Sequence, residues 1–242
     1  MSESPIALSR QYEMEQCSYT DALGNKLNYC RRLMNPDAPG TTPVLLFLHG
    51  AGERGDDNNK QLFHATDQII SWCERNNQKV LLLFPQCPLE KQWVNTPWDA
   101  LKHSMPEISE PMDLAMQMLD FEITQNNADD SRIYIAGISM GGYGTWDAIS
   151  RFPSRFAAAF PVCGGGDVAQ AAKLTDLPIL TFHGDIDSVV PTSRTRDMFE
   201  AVKAAGGDLI SYIEVPQCDH NSWTYAFGRD DSWQWLFSQK KR

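Results

Sequence analysis

Residues 131–146 read Ser-Arg-Ile-Tyr-Ile-Ala-Gly-Ile-Ser-Met-Gly-Gly-Tyr-Gly-Thr-Trp and carry the strongest structural signal in the sequence. Its apolar first half predicts a buried strand over Arg132–Gly137, and its second half predicts a helix over Gly142–Arg151. Between them, Ser139 is the apex of a Gly-x-Ser-x-Gly turn. A serine pushed out of so tight a turn leaves little room for side chains two residues to either side, which explains the two glycines. A strand, a serine and a helix in this order are typical of a nucleophile elbow, in which amides at the helix start face the serine oxygen.

Length and composition indicate a soluble globular protein with one domain over residues 1–242. Hydrophobic residues make up 42% of the chain and charged residues 21%. The net charge of −10 argues against nucleic-acid binding, because phosphates need basic partners. The chain lacks the long apolar run of a membrane span and the basic and apolar regions of a signal peptide. We therefore expect a cytoplasmic protein whose residues 1–10 are flexible; the oligomeric state stays open.

The six cysteines show neither Cys-x-x-Cys pairs nor the spacing of zinc ligands. A chain of this length does not depend on disulfides, so we predict free thiols. The lack of metal-ligand spacing predicts no bound metal, and we expect no cofactor. Cys218 lies two residues before His220, where its oxidation could disturb a site; packing as a small apolar residue is the simpler role.

Strand-like and helix-like segments alternate along the chain, which predicts an α/β fold with a doubly wound, mostly parallel sheet and helices on both faces. Continuous apolar runs in the middle strands indicate burial on both faces of the sheet. The predicted strands are Leu27–Leu33, Val44–His49, Val80–Pro85, Arg132–Gly137, Phe156–Val162, Ile179–His183 and Leu209–Val215. The predicted helices are Asp67–Asn76, Pro111–Asn126, Gly142–Arg151, Thr192–Ala205 and Ser222–Ser238. Tyr12–Tyr29 is interpreted as an antiparallel hairpin at the N-terminal edge of the sheet.

Residues 87–111 depart from this alternation, because they are rich in proline and show no helical or strand period. The segment leaves the carboxyl end of a strand, where open α/β sheets bind ligands, so we expect it to overhang the pocket. Trp93 and Trp98 are therefore candidates for lining a substrate subsite. They could equally serve to pin the segment to the body of the protein.

A serine hydroxyl needs a base to take its proton and an acid to orient that base. Behind a nucleophile elbow the chain order is serine, acid, histidine. Of the five histidines, only His220 follows the last predicted strand, and we predict it as the general base. Asp187 and Asp185 both follow the strand before that one. We favour Asp187, which lies further round the turn, and interpret Asp185 as a turn-capping residue.

An oxyanion in this chemistry needs two preorganised N–H donors. We assign the amide of Met140, directly after the serine, and the amide of Ala51, which lies between two glycines after a predicted strand. His49 is interpreted as a structural brace for that loop. The charged residues Glu53 and Arg54 follow; they could pair to shape the loop, touch substrate, or simply be solvated. Trp223, close to His220, is a further candidate for the substrate pocket.

The chain resembles α/β-hydrolase esterases grouped with dienelactone hydrolases, feruloyl-type esterases and the catalytic domains of prolyl oligopeptidases. The resemblance runs from about Val44 onward. The stretches that carry it are 47–55, 85–88, 132–146, 182–184 with Asp187 and 190–191, and 220–223.

The resemblance implies the α/β-hydrolase fold, with Ser139, Asp187 and His220 as catalytic triad. It also supports Ala51 and Met140 as oxyanion donors. The implied activity is hydrolysis of short acyl esters, with a small-molecule ester as the partner and no cofactor. The alternatives are a small serine peptidase or an esterase for acylated sugars or feruloyl groups. A hydrolase-fold binding protein without catalysis is a rival from another class.

Overall fold

Continuous apolar runs form the middle of an eight-stranded sheet in the computed structural model, which describes residues 7–241. The strands are β1 (Glu15–Thr20), β2 (Lys26–Met34), β3 (Val44–Leu48), β4 (Val80–Pro85), β5 (Ile133–Ile138), β6 (Ala158–Val162), β7 (Ile179–Gly184) and β8 (Ile210–Val215). Their order across the sheet is β1-β2-β4-β3-β5-β6-β7-β8. The predicted mostly parallel sheet is confirmed, since β3 to β8 pair in parallel and only the pairings of β2, with β1 and with β4, are antiparallel.

Seven helices connect or flank the strands in the described part of the chain. They are α1 (Leu8–Gln11), α2 (Thr66–Arg75), α3 (Glu110–Gln125), α4 (Met140–Arg151), α5 (Ser193–Ala204), α6 (Trp223–Phe227) and α7 (Asp230–Ser238). Short 3₁₀ turns lie at Ala51–Glu53, Lys60–Leu62 and Val168–Leu174. The expected flexibility of residues 1–10 falls mainly on residues 1–6, which lie outside the described residues, whereas α1 occupies most of the remainder.

The prediction of one helix over Ser222–Ser238 was wrong. The helix ends after Phe227, and Arg229 has extended backbone angles, so the chain changes direction before α7 begins. The indole N–H of Trp233 donates to the carbonyl of Phe227 at 2.8 Å and satisfies one of the carbonyls left free at the end of α6. This bend lets both short helices bury their apolar faces against the sheet.

Alternate residues of the central strands supply the two layers of core. In β3, the side chains of Val44, Leu46 and Leu48 pack on the face covered by α3, α4 and α5. Those of Leu45 and Phe47 pack on the opposite face, under α2, α6 and α7. Each layer buries large apolar side chains, which explains why these strands read as continuous apolar runs.

The C-terminal residues are bound to the start of β5. The hydroxyl of Tyr134 donates to the carbonyls of Gln239 at 2.7 Å and Phe237 at 3.2 Å. The amide of Lys241 donates to the carbonyl of Ser131 at 2.8 Å. These bonds attach residues near the end of the chain to the central strand. Among residues 7–241, no helix has the length and apolar character needed to cross a membrane.

Candidate active site

Ser139 lies in a left-handed backbone conformation (φ 51°, ψ −116°) between β5 and α4. The neighbouring backbones leave no space for side chains here. A Cβ on Gly137 would lie 2.3 Å from the carbonyl oxygen of Gly141, and a Cβ on Gly141 would lie 1.9 Å from that of Leu48. Gly137 is thus required by the close approach of the first turn of α4 to β5, and Gly141 by the close approach of α4 to the end of β3.

The side chain of Ser139 starts a chain of hydrogen bonds. Its Oγ lies 2.8 Å from Nε2 of His220, and Nδ1 of that histidine lies 2.8 Å from Oδ2 of Asp187. The imidazole is partly exposed, whereas the carboxylate is fully buried. The three residues chosen from chain order are thus brought within hydrogen-bond distance, although 81 residues separate the serine from the histidine.

Four donors surround the carboxylate of Asp187. Its Oδ1 accepts from the amides of Val189 and Val190, both at 2.9 Å. Its Oδ2, besides facing His220, lies 3.1 Å from Nε2 of His183. Burial alone would raise the pKa of Asp187, but the hydrogen bonds from the two histidines and the two amides outweigh it and hold the pKa below its usual range. The acid is therefore ionised at neutral pH.

His183 is a second, fully buried histidine on the same carboxylate oxygen. Its Nδ1 lies 2.7 Å from Oγ1 of Thr195, and that hydroxyl donates to the carbonyl of Gly164 at 2.9 Å. Chain order excluded His183 as the base, and sequence reasoning assigned it no role. The spacing of four residues between His183 and Asp187 across a tight turn was the available signal.

Asp185 and Asp219 connect the two loops that carry the acid and the base. Oδ1 of Asp185 accepts from the amide of Cys218 at 3.1 Å. Oδ1 of Asp219 accepts from the amides of Ser188 and His220, both at 2.8 Å. Neither carboxylate faces the imidazole ring, so both contribute to the position of His220 through backbone contacts.

The loop after β3 places Ala51 beside the serine, and Met140 begins α4 directly after it. Amides in the first turn of a helix have no intrahelical partner, so both are available to a ligand. His49 braces this loop: its Nδ1 lies 2.6 Å from the carbonyl of Gly50, and its Nε2 accepts from the amide of Cys87 at 2.9 Å. Burial lowers the pKa of His49 to about 4, so the ring is neutral and keeps this acceptor.

A cavity of about 250 Å³ opens on Ser139 and His220. Of the predicted pocket residues, Glu53, Trp98 and Trp223 line it. His64 also lines the cavity; it was not predicted from the sequence because no motif surrounds it. A larger cleft of about 680 Å³ lies beside β2; its walls are charged, amide and aliphatic side chains without serine, cysteine or histidine, so it offers no hydroxyl or thiol nucleophile paired with an imidazole.

Two predicted pocket residues lie outside the cavity. Trp93 is fully buried, and its indole N–H donates to the carbonyl of His49 at 3.0 Å. It therefore pins residues 87–111 to the body of the protein. Arg54 turns back onto its own loop, donating to the carbonyl of Ala51 at 2.9 Å. Glu53 faces His64 instead of pairing with Arg54.

Residues 86–109 form neither helix nor strand, but several side chains fix them in place. Tyr143 of α4 donates to the carbonyl of Trp98 at 2.9 Å, which sets that indole against the cavity. Arg194 of α5 donates to the carbonyl of Leu101 at 2.9 Å. The hydroxyl of Ser109 donates to the carbonyl of Trp93 at 2.7 Å. The irregular segment is thus anchored at each end and in the middle.

Cys163, Asp187 and His220 are the group most similar to a metal-ligand set, with donor atoms within 4.8 Å of one another. The thiol is fully buried, and burial raises its pKa well above the usual range. The carboxylate and the imidazole already hydrogen-bond each other. Metal ligands must be deprotonated and free to coordinate, whereas this thiol keeps its proton and the other two groups bind each other. Cys163 therefore fits a packing role behind the histidine better than a metal centre.

Comparisons with known proteins give matches over most of the chain. The sequence profile of the Phospholipase/Carboxylesterase family matches residues 28–229. A solved structure of a thermostable esterase superposes with a TM-score of 0.85 at 32% identity, covering 94% of this chain and 63% of that chain. Other solved α/β-hydrolase structures, among them a ferulic acid esterase with a TM-score of 0.66, are only 16% identical and show likeness of fold alone.

Two curated relatives share less of their sequence. Lysophospholipase-like protein 1 of Mus musculus is 26% identical, over 73% of this chain and 79% of its own length. An uncharacterized secreted protein of Arthroderma benhamiae is 30% identical over 77% of this chain, which spans only 22% of that protein's length. The family profile, by contrast, covers most of the chain, including the elbow and the loops of Asp187 and His220. The chain therefore belongs to the Phospholipase/Carboxylesterase family and has the α/β-hydrolase fold.

Proposed function

We propose that the protein is a serine carboxylesterase that hydrolyses short acyl esters. The observation that carries the proposal is the unbroken chain of hydrogen bonds from Ser139 through His220 to Asp187, at the mouth of a cavity. A base within 2.8 Å of the serine oxygen and an ionised acid behind it are the two conditions for activating a hydroxyl.

In the first half of the reaction, Nε2 of His220 takes the proton of Ser139 as Oγ attacks the ester carbonyl carbon. Asp187 stabilises the resulting imidazolium. The amides of Ala51 and Met140 donate to the oxyanion of the tetrahedral intermediate. When the intermediate collapses, the bond to the alcohol oxygen breaks and the imidazolium gives its proton to the leaving alcohol.

In the second half, a water molecule attacks the acyl-enzyme while His220 takes one of its protons. Collapse of this second intermediate releases the carboxylic acid and returns the proton to Ser139. The net reaction consumes one ester and one water and yields one acid and one alcohol.

The cavity favours a short acyl group. Its volume of about 250 Å³ lies below the range of roughly 300–1,000 Å³ found for sites that take drug-sized ligands. Ile138, Val189 and Trp98 give it apolar walls next to the serine. The names of the relatives, a thermostable esterase and a lysophospholipase-like protein, support an ester substrate.

The test is the Ser139→Ala variant, assayed with p-nitrophenyl butyrate. We expect kcat to fall by about 10⁴-fold or more, because the nucleophile and the base act as a unit. A fluorophosphonate probe should label the wild type and not the variant. Ser154→Ala, at an exposed serine, is the matched control and should keep both activity and labelling. Undiminished turnover in a folded Ser139→Ala protein would overturn the proposal.

A further inference from the structure

We propose that Glu53 and His64 form a hydroxyl-binding subsite for the alcohol half of the substrate, so that the preferred esters are those of polyhydroxylated alcohols such as glycerol or a sugar. This inference rests on the proposed esterase function and extends it to the substrate class. Both side chains line the cavity that opens on Ser139.

The carboxyl group of Glu53 is buried, and it has more hydrogen-bond acceptor sites than the surrounding donors fill. Its side chain is only 10% exposed. The side chain that it faces is His64, whose Nε2 lies 3.6 Å from Oε1, too far for a hydrogen bond. A carboxylate offers about four acceptor sites, and the neighbouring amides of Gly50 and of Glu53 itself fill only part of them. A buried polar group of this kind needs a partner, and the cavity is where one can enter.

Burial favours the neutral forms of both groups. It raises the pKa of Glu53, an effect that the two nearby amides only partly offset, and it lowers the pKa of His64. A neutral imidazole has one donor and one acceptor nitrogen, and a carboxyl group can accept or donate. A hydroxyl group also does both, so it can bridge two such side chains. An apolar substituent in the same place would leave the carboxyl group without a partner.

The aromatic contacts place this pair on the leaving-group side of the cavity. The ring of His64 packs edge-to-face on Trp223 at 5.2 Å, and Trp223 packs in the same way on His220 at 5.4 Å. In the proposed mechanism, His220 gives its proton to the departing alcohol. The side of the cavity that continues from His220 through Trp223 to His64 is therefore the side that receives the alcohol.

The experiment compares 2,3-dihydroxypropyl butyrate and a glucose monobutyrate with propyl butyrate, which has the same acyl group and no free hydroxyl. The readout is the ratio of kcat/KM for each hydroxylated ester to that for propyl butyrate. For the wild type we expect a ratio of about ten, the factor that one well-placed hydrogen bond gives. A larger ratio for 2,3-dihydroxypropyl butyrate would indicate glycerol esters as the substrate, and a larger ratio for glucose monobutyrate would indicate sugar esters.

Two variants remove the hydrogen-bonding groups. His64→Phe keeps an aromatic ring against Trp223 but has no ring nitrogen, and Glu53→Met keeps the length of the side chain without its oxygens. Both should bring the ratio to about one, chiefly through KM of the hydroxylated ester. Glu53→Gln, which still accepts and donates, should keep most of the preference. Glu200→Gln, at an exposed position on α5, is the matched control and should leave the ratio unchanged.

The possible failures are distinguishable. If the wild type hydrolyses propyl butyrate but shows no preference for either hydroxylated ester, the subsite is wrong and the esterase function stands. The same holds if His64→Phe, whose site is partly exposed and tolerant of substitution, keeps the full preference. If the wild type hydrolyses none of the esters, the proposed function itself is overturned, and the subsite with it.

Discussion

The elbow and the loops that complete the site are held in place by different means. Ser139 is positioned by backbone against backbone, since α4 lies so close to β3 that a Cβ on Gly141 would collide with the carbonyl of Leu48. Asp187 and the loop of Ala51 are instead positioned by the side chains of two buried histidines, His183 and His49. The backbone contacts require glycines at fixed spacing, and this pattern can be recognised in the sequence. A histidine that braces a loop requires only a histidine at one position, and in the sequence such a histidine cannot be distinguished from a catalytic base.

The largest expected effect comes from breaking the backbone contact. Gly141→Ala puts a methyl group 1.9 Å from the carbonyl oxygen of Leu48, and neither backbone can yield without moving a central strand or the helix after Ser139. We expect the free energy of unfolding to fall by about 3 kcal/mol or more, together with loss of esterase activity. Urea denaturation and p-nitrophenyl butyrate turnover measure the two.

Gly52→Ala is the control for this comparison, because a Cβ on Gly52 would have no heavy atom within 4 Å. Its free energy of unfolding should change by less than about 1 kcal/mol. Equal destabilisation by the two substitutions would contradict the view that the glycines of the elbow are there for close backbone approach.

A smaller effect is expected from His183, because it acts on the site through Asp187. His183→Leu removes one of the donors to Oδ2, which raises the pKa of Asp187 and leaves its carboxylate less firmly oriented toward Nδ1 of His220. We expect kcat to fall about 10- to 100-fold, part of the roughly 100- to 10,000-fold that a positioned base contributes. The acidic limb of the pH–rate profile should also move to higher pH.

The conservative variant separates positioning from packing. His183→Gln can place its amide N–H where Nε2 of the histidine lies, so it should restore most of the activity and return the acidic limb toward its original position. If His183→Leu lowers kcat without moving that limb, His183 only fills space, and the contrast between its role and that of the elbow is weaker than we argue.

The smallest effect concerns His49 and appears as a pH dependence of stability. The unfolded chain binds a proton at this histidine below about pH 6.5, whereas the folded protein does not until about pH 4. The stability that the neutral ring contributes is therefore complete above pH 6.5 and is lost as the pH falls toward 4. Between pH 7 and pH 5, the free energy of unfolding should fall by about 2 kcal/mol from this group alone.

The measurement is a series of urea denaturations at pH 7, 6 and 5 on the wild type and on His49→Asn. The variant should be less stable at pH 7 and should lack this part of the pH dependence. Parallel stability profiles for the two proteins would mean that His49 is protonated in the folded state, which would break its hydrogen bond with the amide of Cys87.

Much of the fold was predictable because its signals are local. Continuous apolar runs give the parallel strands, and the antiparallel edge hairpin follows from the turn at Gly24, whose φ is +88°. The elbow follows from Gly137 and Gly141. Chain order then selected His220 and the pair Asp185 and Asp187, and the position further round the turn favoured Asp187, which does lie within hydrogen-bond distance of His220. Their catalytic roles stay predictions until the variants are assayed.

The rest depends on contacts between distant parts of the chain. Trp93 and Trp98 are five residues apart in one irregular segment, yet the first pins it to His49 and the second faces the cavity. No periodic pattern in the sequence distinguishes the anchoring tryptophan from the one that lines the cavity. His64 reaches the site only because it packs on Trp223, more than 150 residues later. The end of α6 is likewise set by the Trp233 contact with Phe227, which helix propensity does not anticipate.

The attachment of the C-terminal residues to β5 has a consequence for biosynthesis. The central strand that leads into Ser139 obtains the hydrogen bonds from Tyr134 to Gln239 and from Lys241 to Ser131 only after residues 237–241 have left the ribosome. Contacts this distant in sequence form late, because the chain between them must first be ordered. Because the N-terminal part of a chain leaves the ribosome first, the strand before Ser139 acquires this support only after the loops of Asp187 and His220 have been made.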